Sequence, residues 1–286
     1  MKIVRSRYAG ACYGVERALA LVDEAAHGNV GSTQSGARIP VHTLGPLIHN
    51  PQVVSDLRSR GVNEVNDVDE VSEGILVIRS HGVAPWVIER AVQKRLQIVD
   101  ATCPHVTKAQ IAARELRERG CQVLIVGEFG HPEVEAIRAY AGDEAIVVQG
   151  PSDLPGVLPM KKVGIVVQTT QAQSSLKAVV DALQERGVAP MVFDTICFAT
   201  RQRQEAAVEL AQEADVMIVV GGRNSGNTTR LAQLCREVCG QTHHIETAAE
   251  LEPGWFVGAD VIGITAGAST PEDQIVAVEQ ALEALM

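Results

Sequence analysis

The chain has 286 residues, of which 46% are apolar, 21% charged and 3% aromatic, a composition that describes a soluble globular protein of two or three domains with a mainly aliphatic core. A formal net charge of -10 argues against nucleic acid or an anionic membrane as partner, because both favour a basic surface. No apolar run approaches the ~20 residues of a membrane span, and the opening "MKIVRS" enters a strand without the basic and apolar regions of a secretion signal, so a cytoplasmic location is expected.

In chain order, the strand "MKIVRS" is followed by Cys12 and by the helical stretch "VERALALVDEAA". A polar, glycine-rich loop, "HGNVGSTQSGAR", is expected at His27 to Arg38. Two polar turns follow, "LGPLIHN" with His49 and "IRSHGV" with His81, the second at the end of the apolar run "GILVIRS". The segment "QIVDATCPHVTK" then carries Cys103 into the helical stretch "TKAQIAARELRERG". After it come "QVLIVG" running into "GEFGHPEVE" with His131 and Glu133, and "KVGIVVQ" running into Thr169 and Thr170. "MVFDTICFATRQRQ" brings Cys197 to the helical "RQEAAVELAQEA". Last are "DVMIVVG" with "GGRNSGNTT", which holds Ser225 and Asn227, and "ITAGAST" with Ser269. Continuous apolar runs of this length are the mark of parallel strands buried on both faces. Their alternation with amphipathic helices predicts an α/β architecture.

The three segments that carry Cys12, Cys103 and Cys197 share one pattern: a strand, a short polar step, a single cysteine and a helix. Their spacings are 91 and 94 residues, so the chain reads as one domain-sized unit repeated three times. The expected boundaries are 14–102, 103–196 and 197–286, the last completed by the N-terminal strand 1–13. Counted from each cysteine to the next, every unit offers one cysteine and two polar turns at strand ends, where ligands bind in open α/β sheets. The expected geometry is three similar small α/β domains around a pseudo-threefold axis, with an iron-sulfur cluster at the centre. Three thiolates without a fourth suit such a cluster with one iron left open for substrate. A lone cysteine after a strand is otherwise a small buried hydrophobe, and that reading suits Cys121, Cys235 and Cys239. No C-x-x-C pair is present to suggest another metal site.

The polar turns donate hydrogen bonds without bringing large hydrated charges, and the helix expected after "GGRNSGN" adds backbone N–H groups and a positive dipole end. Together they suit an enclosed anion, most naturally phosphate. Helix capping is the competing role for Ser225 and Thr170. It competes also at His131, because Pro132 suits a first helical position. His27 is placed in the loop, and His42, His105, His243 and His244 are assigned surface or capping roles.

The ordered set "GACYGVERA", "IHNPQVV", "RSHGV", "DATCPHVTK", "GHPEVE", "QTT", "DTICFATRQRQEA", "NSGNTTRL" and "TAGAST" resembles the motifs of the LytB (IspH) family of 4-hydroxy-3-methylbut-2-enyl diphosphate reductases, over residues 1 to about 275. The resemblance implies an enzyme with one [4Fe-4S] cluster per chain, held by Cys12, Cys103 and Cys197 with one iron lacking a protein thiolate. Such an enzyme takes two electrons from a low-potential donor such as ferredoxin or flavodoxin. It removes the allylic hydroxyl of its diphosphate substrate to give isopentenyl and dimethylallyl diphosphates, the last step of the methylerythritol phosphate route. By the same resemblance Glu133 is the proton donor, and His49, His81, His131, Thr169, Thr170, Ser225, Asn227 and Ser269 line the substrate cavity.

The chemistry is coherent, since hydroxide leaves poorly and needs both Lewis-acid help and a proton. The apolar neighbours Pro132 and Val134 lead us to expect a raised pKa for Glu133. Where the family often has "NSSN", this chain has Gly226, which removes one expected hydroxyl contact; a turn needing positive φ is the other reason for a glycine there. Two other classes remain compatible with the residues. One is a cluster-dependent dehydratase such as quinolinate synthase, which needs no electron donor, and the other is a non-catalytic iron-sulfur or zinc sensor.

Overall fold

The computed structural model describes residues 1–27, 39–158, 160 and 162–285. Of the expected glycine-rich loop, residues 28–38 lie outside these, while His27 is the last residue of a helix and its Nδ1 lies 2.9 Å from Asp23 O. The placement of His27 in a loop is therefore corrected.

The first strand, β1 (Lys2–Arg5), leads to α1 (Tyr13–His27). Next come β2 (Val41–Leu44), α2 (Pro51–Ser59), β3 (Val62–Val65), β4 (Ile75–Ile78), α3 (Pro85–Gln93), β5 (Gln97–Asp100) and α4 (Pro104–Glu118). The same succession returns as β6 (Gln122–Val126), α5 (Pro132–Ala141), β7 (Ile146–Val148), β8 (Val163–Val167), α6 (Gln173–Glu185), β9 (Met191–Phe193) and α7 (Phe198–Ala211). The chain closes with β10 (Val216–Val220), α8 (Gly226–Val238), β11 (Thr242–Ile245), β12 (Val261–Ala266) and α9 (Glu272–Ala284).

These strands form three four-stranded sheets, ordered β3-β2-β4-β5, β7-β6-β8-β9 and β11-β10-β12-β1. Every strand pairing recorded in them is parallel. The order explains the sequence pattern. In each sheet the two inner strands lead to the polar turns, and one edge strand, β5, β9 or β1, leads to a cysteine. Inner strands β4, β6, β8 and β10 are buried at every position, because a parallel strand covered by helices on both faces has no wet side. Edge strand β11 is polar, "THHI", and takes in His243 and His244. His243 stacks on Trp255 at 3.8 Å between ring centroids, and His244 Nε2 lies 2.8 Å from Gly221 O. His42 lies in β2 and His105 in α4, so these four histidines, all half-buried, belong to strands and a helix, and the expectation of surface or capping roles is corrected.

The chain divides into two compact units. One comprises Met1–Cys12, Thr170–Ala172 and Ile196–Met286 and contains the β11-β10-β12-β1 sheet. The other comprises Tyr13–Thr169 and Gln173–Thr195 and contains the other two sheets. In the larger unit α4 and α5 pack with β6 and β8 around Ala113, Leu116, Ile125 and Ile137, all fully buried. Gly164 in β8 permits this, since a Cβ there would lie 2.5 Å from Leu116 Cδ2. Burial of Leu116, Ile125 and Ile137 contributes roughly 1.5–3 kcal/mol each. Cys121 joins this core, and Cys235 and Cys239 join the core of the other unit. Burial raises the Cys235 thiol to about 12, which keeps it protonated and chemically inert. Among the described residues no helix is long and apolar enough to cross a membrane.

Candidate functional site

In the larger unit, three strand ends bring three imidazoles together. His49 follows β2 and precedes α2, His81 follows β4, and His131 follows β6. Their ring centroids lie 4.2 Å (His49 to His81), 5.0 Å (His49 to His131) and 5.5 Å (His81 to His131) apart. Local chemistry fixes the turns. Asn50 Oδ1 accepts from Gln52 N and Val53 N at 3.1 Å each, and Pro51 opens α2. At α5 the cap is His131 itself, whose Nδ1 accepts from Glu133 N at 3.1 Å. The capping reading of His131 is thus realised, and the same ring is one of the three clustered imidazoles. Because Nδ1 accepts, the neutral ring carries its proton on Nε2 and presents a donor.

Burial and the nearby Arg79 guanidinium hold His49 down to about 4. Burial, then His49 and Arg79, hold His131 down to about 3, and His81 is lowered too, first by burial. All three are neutral at pH 7. Both ring nitrogens of His49 and Nδ1 of His81 are buried without a partner, so the cluster has hydrogen-bonding capacity that the chain does not consume. Arg79 Nε is unsatisfied as well.

Glu133 stands beside this cluster at 2% exposure. Its Oε1 accepts from Thr169 N at 2.6 Å, and its Oε2 lies 2.9 Å from Thr169 Oγ1. Burial raises the carboxyl to about 7 against the pull of both Thr169 contacts, with a small push from Glu128. The expected rise is present, and it comes from burial at the start of α5. Cys103 belongs to this unit too, half-buried as the N-cap of α4, and its N–H donates to Ser80 O at 2.9 Å. That bond ties the cysteine segment to the turn carrying His81.

The smaller unit repeats the device. Cys12 N donates to Ala268 O at 3.1 Å, which ties this cysteine to the turn carrying Ser269. The approach needs Gly10, whose φ is +108°. Ser225 caps α8, accepting from Thr228 N at 3.3 Å, so its capping role is realised. Asn227, two residues on, has its side-chain N and O buried without a partner, and so is Thr170 Oγ1. Gly226 is the first residue of α8, where helical, negative φ applies, which removes positive φ as the reason for a glycine. Cys197 is the half-buried N-cap of α7. Its thiol is raised by burial and by Cys12, while the N–H groups of Ala199 and Thr200 and the Arg203 guanidinium pull it down.

Free, half-buried thiols at helix N-termini are a donor set suited to soft metal centres, since the helix dipole favours the thiolate that ligation requires. The three cysteines in the apolar cores lack this setting. Sequence reading missed Arg79 in the larger unit and Arg203 in the smaller. Arg79 directly precedes the "SHGV" turn at the end of an apolar strand, which is the signal that could have found it.

A family model described as LytB protein matches residues 3–283. This chain belongs to the LytB family. LytB relatives agree along its whole length. The 4-hydroxy-3-methylbut-2-enyl diphosphate reductase of Pelobacter propionicus is 48% identical over 272 residues, covering 95% of this chain and 94% of the relative. That of Geotalea daltonii is 46% identical over 285 residues, covering 100% and 98%. Among solved LytB structures, (E)-4-hydroxy-3-methyl-but-2-enyl diphosphate reductase, the terminal enzyme of the non-mevalonate pathway, has a TM-score of 0.70 at 42% identity over 99% of both chains. The E-1-hydroxy-2-methyl-but-2-enyl-4-diphosphate reductase of Plasmodium falciparum has 0.87 at 25% identity, covering 99% of this chain and 87% of the other.

Proposed function

We propose that this LytB chain is a 4-hydroxy-3-methylbut-2-enyl diphosphate reductase, acting at the terminal step of the non-mevalonate pathway to isoprenoids. The observation that carries the reading is Glu133, a carboxyl poised at about 7 next to three neutral imidazoles with unused hydrogen-bonding capacity. A proton donor works best when its pKa lies near the working pH. A dianion held by neutral donors does not have to compete with their own hydration.

Cys12, Cys103 and Cys197 are the proposed thiolate ligands of one [4Fe-4S] cluster; of the proposed repeats 14–102, 103–196 and 197–286 with 1–13, the second supplies Cys103 and the last supplies Cys197 and, from its N-terminal strand segment, Cys12. When bound, such a cluster, with one iron free of protein thiolate, would relay two electrons one at a time from a low-potential donor and would supply Lewis-acid assistance to loss of the allylic hydroxyl. His131 donates through Nε2, and His49 and His81 complete the neutral lining against the diphosphate. Ser225, Asn227, Ser269, Thr169 and Thr170 add hydroxyl and amide donors, and the N-terminus of α8 adds backbone N–H groups. Glu133 keeps its proton at Oε2, since Oε1 is engaged by Thr169 N–H. The Thr169 hydroxyl, which donates to Oε2 at 2.9 Å, stabilises the carboxylate that remains once Glu133 has delivered its proton to the departing oxygen as water forms.

The test is an anaerobic assay with a low-potential reductant and the allylic diphosphate. Isopentenyl and dimethylallyl diphosphates should appear only when the reductant is present. Turnover without any donor would instead point to a dehydratase.

A further inference from the structure

Arg203 lies on α7, the helix that starts directly after Cys197. It turns inward and is 3% exposed. Nη2 donates to Gly10 O at 2.8 Å and Nη1 to Ala199 O at 3.3 Å. Gly10 precedes Cys12 by two residues and Ala199 follows Cys197 by two, so one guanidinium is fastened to both cysteine-bearing segments of this unit. Its Nε is buried without a partner. Among the described residues no carboxylate is paired with it. The ionisable groups that act on it are Cys12 and Cys197, which favour its charged form against the effect of burial.

A guanidinium does not shed its proton in proteins. A buried cation that meets only neutral carbonyls is strongly unfavourable unless an anion completes its surroundings. The segments that Arg203 is fastened to carry Cys12 and Cys197, and thiolates bound in the proposed cluster would supply that anion.

We propose that Arg203 is the built-in counter-ion of the Cys12 and Cys197 thiolates, and a positioning residue that sets how readily the iron-sulfur centre accepts an electron. The proposal rests on the ligation described under Proposed function. Reduction adds negative charge, and a fixed cation at low dielectric favours the reduced form. A neutral residue at this position therefore makes the centre harder to reduce.

The experiment is a spectroelectrochemical titration of the anaerobically purified holoenzyme, comparing the parent protein with Arg203→Gln, which is neutral and still donates hydrogen bonds, and Arg203→Lys, which keeps the charge. At a fixed potential, Arg203→Gln should lower the ratio of reduced to oxidised centre about tenfold, or 59 mV for one electron. Arg203→Lys should stay within about threefold of the parent. An unchanged ratio in Arg203→Gln, or an equal shift in both variants, overturns the proposal. Should Arg203→Gln not retain iron, iron content decides: retention by Arg203→Lys supports the role of charge, and loss by both overturns it. Failure of the ligation reading is visible separately, because Cys12→Ser would then keep its iron.

Discussion

The larger unit buries Glu133 and the smaller one buries Arg203, to 2% and 3% exposure, and the two burials have opposite consequences. Glu133 answers desolvation by holding its proton, and its pKa rises to about 7. Arg203 has no neutral form to retreat to, so its surroundings must supply negative charge. The Glu133 site is thus complete in its uncharged state and ready to give up a proton, while the Arg203 site is complete only when its thiols are thiolates. An acid and a redox centre ask for those two conditions respectively.

The largest effects should fall on the thiols. Serine at Cys12, Cys103 or Cys197 should abolish turnover and remove most of the iron, because a hydroxyl is a poor replacement for a soft thiolate. Serine at Cys121, Cys235 or Cys239 should leave both in place and lower only stability, since those side chains lie in the apolar cores. Iron analysis and anaerobic visible spectra distinguish the two groups. Cluster loss on changing Cys235, with Cys12 dispensable, would break the comparison at its root.

Next comes the acid. Glu133→Gln should retain the cluster spectrum and bind substrate but lose about a hundredfold in turnover, the usual scale for general acid catalysis. A donor must be protonated, so the parent's kcat should be flat below about pH 7 and decline above it. A pH profile that stays level to pH 9 would take the proton-donor role away from Glu133.

How far the sequence anticipates these sites depends on where each residue sits. The inner strands are legible because burial on both faces leaves unbroken apolar runs. The cysteines are legible because their setting recurs, and the turn residues because inner parallel strands end at ligand-binding turns. Edge strands β3, β7 and β11 give no such signal, being short and partly wet, and for that reason the sequence around His243 and His244 points only to surface or capping roles. Arg203 is hidden for a different reason. In "TRQRQ" it looks like part of a solvated helix face, and only the packed helix shows that it turns inward while Arg201 and Gln202 stay half-exposed.

The histidines sharpen the contrast through stability. His49 and His131 have folded pKa values of about 4 and about 3, below the unfolded value of ~6.5. Below pH 6.5 the unfolded chain takes up protons that the folded chain refuses, so their contribution is lost as pH falls toward those folded values. Glu133 acts in the opposite sense, because its folded pKa lies above its unfolded one, and its contribution is lost as pH rises toward 7. With several histidines against one glutamate, acidification from pH 6.5 to 4.5 should lower the melting temperature of the cluster-free protein by about 5 °C, at ~2–4 °C per kcal/mol. His49→Asn should flatten the slope and Glu133→Gln should steepen it. Identical slopes in all three proteins would mean that these groups are not buried as described.

The smallest effect is expected at Gly226. At the first position of α8 a side chain meets no φ restriction, and serine is a better helix residue than glycine by about 0.5 kcal/mol. If diphosphate sits at this helix start beside Asn227, whose buried side chain lacks a partner, a hydroxyl at 226 adds one charged-acceptor hydrogen bond. Such a bond is worth roughly 1.5–3 kcal/mol at good geometry, and water replaces much of that when the hydroxyl is missing. Gly226→Ser should therefore leave kcat nearly unchanged, lower KM by up to about tenfold, one decade being 1.4 kcal/mol, and raise the melting temperature slightly. Kinetics and melting on the same variant separate the possibilities. A KM that stays constant while the melting temperature rises would place the diphosphate away from α8. A loss of both stability and affinity would mean that the backbone at Gly226, rather than a missing hydroxyl, is what this turn requires.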